Sequence, residues 1–219
     1  SIYLLIVIPA GVYLYHIAAG KHTFADPVFD RVDGAIYKIS GVDPGKGMNW
    51  KQYALALLGT NAVMVFIGYL ILRVQSAGLF NPNNIENMEP TLAFNTIISF
   101  MTNTNLQHYS GESGGYAAGV AFIRGLAGRT KNDVGNFFAD LVRITTRILL
   151  PFSIVGGLLL VWQGVPQNFE GNVVVETLEG TFQVIAMGPI AALEIIKHLG
   201  TNGGGFLGAD SSTPLENPT

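Results

Sequence analysis

Two polar runs in this chain have the residue types to hold an ion. Thr102-Asn103-Thr104-Asn105 and Thr201-Asn202-Gly203-Gly204-Gly205 each follow a short apolar stretch. Backbone carbonyls of an extended loop can replace the hydration shell of a cation. Gly203, Gly204 and Gly205 allow backbone angles that other residues refuse. Thr and Asn side chains can hold such a loop by local hydrogen bonds. A short helix ending at the loop aims its negative dipole end at the ion. Neither Thr-Asn run contains Asp or Glu, which suits a carbonyl-lined monovalent site better than a carboxylate ring for calcium. Spacing leaves plainer readings open: both runs could be helix C-caps and turns, and residues 203–205 could form an anion-binding nest. A nest normally follows a strand and precedes a helix, whereas this run follows a helical stretch. His16, His22, His108 and His198 show no metal-ligand spacing, and the chain has no cysteine for a thiolate site or a disulfide.

The elements that must carry these loops are membrane helices. Of the 219 residues, 49% are hydrophobic and only 12% are charged, about half the charge of an ordinary soluble domain. That excludes a disordered chain and a coiled coil, and a net charge of -3 leaves no basic patch for nucleic acid. A bilayer core needs about 20 apolar residues as helix. Residues 2–19, 52–72 and 144–162 meet or approach that length. Thr60 and Asn61 lie mid-span in the second and read as interhelical hydrogen-bond glue. Arg147 lies one turn inside the third, where a long side chain can snorkel to the headgroups. Residues 92–101 and 190–199 are too short to span, the latter following a break at Gly188-Pro189, and read as re-entrant helices. The expected fold class is therefore an all-α polytopic membrane protein.

Charge in the connections predicts orientation. Residues 20–51 and 124–147 each hold five Lys or Arg residues and are expected in the cytoplasm. The connections at 73–91 and 163–181 are acidic and are expected outside, as is the N-terminus. This count leaves one crossing unmade, because between Glu112 and Arg124 only residues 113–123 are available, about 16 Å of helix. Either the charge rule fails here or a crossing helix is missing, with Gly114-Gly115 as the candidate junction. The chain opens on Ser1 and closes on Thr219 and reads as a piece of a longer one.

An internal repeat supports the pore-loop reading. Residues 95–103 set beside 194–202 at a shift of 99, matching Ile97 with Ile196 and Thr-Asn with Thr-Asn. Each copy runs in the order spanning helix, acidic connection, short helix, Thr-Asn loop.

At this point several colinear stretches are specific. They are Met48-Asn49-Trp50-Lys51-Gln52-Tyr53, Phe100-Met101-Thr102-Asn103-Thr104-Asn105, Gln107 with Tyr109-Ser110-Gly111-Glu112, Met187-Gly188-Pro189 and Leu199-Gly200-Thr201-Asn202-Gly203-Gly204-Gly205-Phe206. The tail holding Ser211, Ser212, Pro214 and Glu216-Asn217-Pro218 joins them. With these the chain resembles the potassium-binding A subunit family of the bacterial Kdp potassium-transporting ATPase.

The resemblance implies the potassium transporter superfamily fold, repeated helix–pore loop–helix units, four of which surround one filter. This chain carries the first two, with an internal gap. It also implies three segments: 1–51 with the first helix and a cytoplasmic loop, 52–123 as the first pore-loop repeat, and 124–219 with a loop, a helix and the second pore loop. The family is a non-catalytic subunit that selects potassium for a P-type ATPase B subunit, together with a C subunit and a small F subunit. It resides in the bacterial plasma (inner) membrane. Potassium is its substrate, and no other cofactor is implied. Thr102, Asn103, Thr104, Thr201, Asn202 and Gly203 would bind potassium through their carbonyls. Gln107, Gly204 and Gly205 would shape the loops. Lys197 is expected to face away from the ion and to pair with Glu194 at the three-residue spacing. Asn49-Trp50-Lys51 reads as an interfacial anchor. The alternatives are an intramembrane enzyme using Glu194, His198 and Thr201, and a structural membrane anchor.

Overall fold

The computed structural model describes residues 2–77, 81, 83–102, 134–200, 206–207 and 211–218. Two compact units divide the chain, residues 1–60 with 113–151 and residues 61–112 with 152–219.

In the first unit, α1 (Ile2–Ala18) is the first apolar helix. After Gly20, in the left-handed region at φ 66, Thr23 and Asp26 start α2 (Asp26–Ser40). Asp26 accepts from the Thr23 backbone N–H at 2.8 Å and from its hydroxyl at 2.6 Å, a carboxylate at a helix start where the dipole favours it. Gly41, at φ 67, ends the helix. An exposed apolar stripe on α2 holds Val28, Val32, Ile36 and Ile39. Asp26, Asp30 and Asp33, at four- and three-residue spacing, share one face, with Asp26 and Asp33 buried and Asp30 exposed at its edge.

Helix α3 (Trp50–Val74) is opened by a reciprocal capping box. Gln52 N–H donates to Asn49 Oδ1, and Asn49 N–H to Gln52 Oε1, both at 3.0 Å. Lys51 sits over the Trp50 ring, 5.6 Å from its centroid. Asn136 caps α5 (Phe137–Ile144) by accepting from Phe138 and Ala139 N–H. Its amide also donates to the carbonyls of Asp43 and Lys46 at 3.1 and 2.9 Å. Tyr53, Phe137 and Ile144 form the buried core, and Tyr53 donates to Asp140 at 3.0 Å.

α5 runs through a π-helical turn, Thr145–Leu149, into α6 (Leu150–Trp162). The π turn is marked by the Leu150 N–H reaching Thr145 O, five residues back. Pro151 follows and has no N–H to give the carbonyl of Arg147, four residues earlier. Tyr13 fills that role, donating to Arg147 O at 2.8 Å.

Arg147 corrects the snorkelling expectation. Its side chain is 1% exposed. Nε donates to Asp26 at 3.0 Å, one terminal nitrogen to Asp30 at 2.6 Å and the other to Asp33. The acidic face of α2 is turned inward to meet it. The helix also starts at Phe137 and not at 144, because Asp140 and Arg143 belong to a packed helix and not to a loop.

In the second unit, α3 ends in a 3-10 turn, Gln75–Ala77. The acidic connection folds back on it, with Met88 N–H donating to Leu72 O at 3.1 Å and Gln75 to Glu86 O at 2.6 Å. Helix α4 (Pro90–Thr102) carries the first short apolar stretch. Glu89 caps it, accepting from Leu92 N–H at 2.8 Å. The backbone N–H groups of Thr91 and Leu92 hold its carboxyl below its ordinary value. A Cβ on Gly68 of α3 would lie 2.3 Å from Ile97 Cδ1 of α4, so the short helix rests on backbone.

The all-α expectation is corrected at one place among the described residues. β1 (Val173–Glu176) and β2 (Phe182–Ile185) form an antiparallel hairpin pairing Val173 with Ile185 and Glu176 with Phe182. Three consecutive valines favour extended backbone, and Gly180 supplies the positive φ, 76, in the turn. Helix α7 (Ile190–Leu199) follows.

Candidate ion-loop site

Helix α7 carries the second Thr-Asn-Gly run at its end. Ten residues rise about 15 Å, half a bilayer core. Its first-turn N–H groups are satisfied by the preceding loop. Ala191 N–H donates to Pro166 O at 3.1 Å and Ala192 N–H to Gln167 Oε1 at 2.9 Å. Ile190 and Ala191 are fully buried beside Val165 and Leu160. A Cβ on Gly156 of α6 would lie 2.4 Å from Ile195 Cγ1. Small residues of this kind let helix backbones approach closely.

Charge is concentrated on the inner face of this apolar helix. Glu194, 1% exposed, faces Lys197 Nζ at 2.7 Å, as the three-residue spacing predicts. Ser211 donates to the same carboxylate oxygen at 2.7 Å, and Lys197 also donates to the Ser211 hydroxyl. The backbone N–H of Phe206 donates to the other oxygen at 3.4 Å. A second buried carboxylate, Glu216, accepts from Leu207 N–H at 2.7 Å and from the Thr213 hydroxyl at 3.2 Å. Gly188 has φ 154, and a Cβ there would lie 2.7 Å from Phe206 Cζ. The segment after the loop is thus tied by backbone and by ring to α7 and its approach.

Of the expected potassium-binding residues, Thr102 closes α4. A carbonyl in the last turn of a helix has no intrahelical partner. Asn103, Thr104, Gln107, Thr201, Asn202, Gly203, Gly204 and Gly205 lie outside the described residues, as does the Gly114-Gly115 junction. For the enzyme alternative, Glu194 has its oxygens engaged by Lys197, Ser211 and Phe206. His198 Nε2 stands 3.6 Å away on an exposed side chain, and Thr201 is outside the described residues. Sequence reading gave Phe206 a loop-shaping role but missed Ser211 and Glu216 as contributors. The signal was an ionisable pair inside an apolar helix, which needs partners wherever it is buried.

The described fold is a mostly helical chain with two helices, Trp50–Ala77 and Phe137–Trp162, long and apolar enough to cross a membrane. Comparison with known proteins gives the class its family. The chain matches KdpA, the potassium-transporting ATPase A subunit, over residues 1–114 and 113–219, and it belongs to that family. Proteins named potassium-transporting ATPase potassium-binding subunit are similar to it across nearly its full length. Those of Clostridium acetobutylicum and Caldanaerobacter subterraneus subsp. tengcongensis are each 52% identical over 100% of this chain. That of Geobacillus kaustophilus is 47% identical over 98% of it. In each case the chain spans about 42% of the relative's length. The alignment with the Clostridium protein runs over 238 positions, 19 more than the 219 residues of this chain. The family match breaks at residues 113–114, where the crossing count also comes up short.

Proposed function

We propose that this chain supplies two of the four pore-loop repeats of a potassium-selecting subunit, arranged as helix–pore loop–helix units of the potassium transporter superfamily. The subunit is non-catalytic and passes potassium to a P-type ATPase B subunit, with a C subunit and a small F subunit, in a high-affinity uptake complex of the bacterial inner membrane. Carbonyls of Thr102, Asn103, Thr104, Thr201, Asn202 and Gly203 replace the ion's water, and Gln107, Gly204 and Gly205 shape the loops. The segments 1–51, 52–123 and 124–219 follow this plan.

One observation carries the reading. Helix α7 ends at Leu199 with Gly200 as its C-cap, directly before the Thr-Asn-Gly run, and the backbone N–H of Phe206 returns to Glu194, twelve residues earlier in the chain and six before Gly200. Six residues are about 9 Å of helix rise. A chain that turns back beside its own short helix behaves as a re-entrant loop. The glycine seats at Gly68 and Gly156, each occupied by an Ile of the following short helix, support the repeat.

The deciding experiment is Gly203→Asp in the complete subunit, assembled with its partners. A carboxylate in a carbonyl-lined loop is expected to raise the KM for potassium at least about tenfold and to weaken discrimination against other monovalent cations. An unaltered KM and selectivity would sink the filter assignment.

A further inference from the structure

Resting on that reading, we propose that Glu194, Lys197, Ser211 and Glu216 are positioning residues for the second filter loop. They act on it through the described residues that flank it, Gly200 on one side and Phe206 and Leu207 on the other.

The pair is poorly explained by stability. Taking a carboxylate and an ammonium out of water costs several kcal/mol per ion, and an apolar pair of similar volume often packs as well. Here the surrounding helix is apolar, so the charged pair is the exception that needs a use. Its hydrogen bonds indicate that use. The Glu194 carboxylate reaches across to Phe206 N–H and to the Ser211 hydroxyl. Lys197 closes the triangle on the same hydroxyl and neutralises the carboxylate.

The next residue, Leu207, gives its N–H to the second buried carboxylate, Glu216. Two consecutive backbone donors therefore go to two different acids. At the other end of the run, Gly200 N–H is held by Ile196 O at 2.9 Å. The five residues 201–205 are thus bracketed by fixed points on one helix. Bonds to ionised partners are stronger and better aligned than neutral ones. Selection among cations of similar charge depends on where carbonyls stand, so this bracket should act on ion affinity more than on turnover.

The test uses the complete subunit assembled with its partners, and reads potassium-dependent ATP hydrolysis and rubidium uptake. Glu194→Gln keeps the shape and removes the charge. It takes the charge from the contacts with Lys197, Ser211 and Phe206 N–H and is expected to raise the KM for potassium at least about tenfold, while the maximal rate falls less than about twofold. Ser211→Ala, which removes the bridging hydroxyl but leaves the Glu194–Lys197 ion pair in place, should raise it about threefold. Lys197→Arg, which keeps the pair, should stay near the parent. A merely structural role would instead lower the yield of assembled complex with KM unchanged, and that result would overturn the proposal. If Glu194→Gln does not assemble, Ser211→Ala decides, an unchanged KM overturning it. Gly203→Asp separates the two levels. Should it leave KM unaltered, the filter reading fails. Should it raise KM while Glu194→Gln and Ser211→Ala do not, only the positioning role fails.

Discussion

At the residue scale, a guanidinium inside a membrane-length helix is tolerable because its partners are brought to it. Arg147 is enclosed by Asp26, Asp30 and Asp33, and the carbonyl that Pro151 leaves without a helical donor is taken by Tyr13. Arg147→Met removes the cation and leaves Asp26 and Asp33 buried without it, so the first unit should lose about 3–5 kcal/mol. Thermal unfolding in detergent would show this as a lower midpoint, and an unchanged midpoint would refute the burial. The same contact has a pH dependence. Burial pushes the Asp26 carboxyl up, but hydrogen bonds from Thr23 and Arg147 and the charge of Arg147 outweigh it and hold the group well below its ordinary 3.8. A depressed carboxylate gives stability that is full above the ordinary value and lost as pH falls through the folded-state one. Unfolding midpoints should therefore hold down to about pH 4 and drop below it, and the drop should shrink in Asp26→Asn. None of this was legible in the sequence. The three aspartates stand more than a hundred residues from Arg147, and only the fold brings them together.

At the scale of elements, the short helices are seated on glycines. Gly156→Ala drives a Cβ into Ile195, whose branched side chain is stiff at χ1, whereas beside Gly157 the nearest atom of Ile195 is 3.7 Å away, an ordinary contact. Overpacking at Gly156 should cost about 1–3 kcal/mol. Gly157→Ala, relieved of glycine's entropy, should be neutral or slightly stabilising. Unfolding midpoints of the two neighbouring variants check this, and equal effects would refute the seat. Helix existence was legible, because long apolar runs have few alternatives. Residues 2–19 became α1 and 52–72 became most of α3. The hairpin at 173–185 was not, since four-residue apolar strands look like helix fragments to a periodicity argument. The start at Phe137 was hidden because Asp140 reads as a loop charge until Tyr53 is seen to bond it.

For the whole molecule, charge had grouped the connections into two sets, and contacts follow that grouping. The acidic connections meet where Asn83 and Asn172 exchange hydrogen bonds at 3.2 and 2.9 Å. The basic ones meet where Met48 N–H donates to Gly135 O and Val134 N–H to Met48 O. We propose that each set lies on one side of the membrane, the acidic set outside and the basic set in the cytoplasm. Lys38 should react with a permeant amine reagent and be protected from an impermeant one applied to intact cells, and labelling from outside would invert the topology. The loops proposed as the filter are visible in the sequence as composition alone, and the described residues beside the second were not legible, since Ser211 and Glu216 belong to a polar tail with no periodicity.

The glycine seats have a consequence for how such a protein is made. A segment is recognised for insertion by its length and apolarity, and ten or thirteen residues fall short of a span. Helices α4 and α7 therefore cannot be threaded into the bilayer on their own account. Each has to wait for its long neighbour to be inserted and then fold back onto it, entering beside a surface already shaped to receive it. The runs that we propose hold the ion follow those latecomers in the chain. On this order of assembly, selectivity is the last property the unit acquires, and an error in the long helices would surface first as a leaky or indifferent site in a protein otherwise correctly inserted.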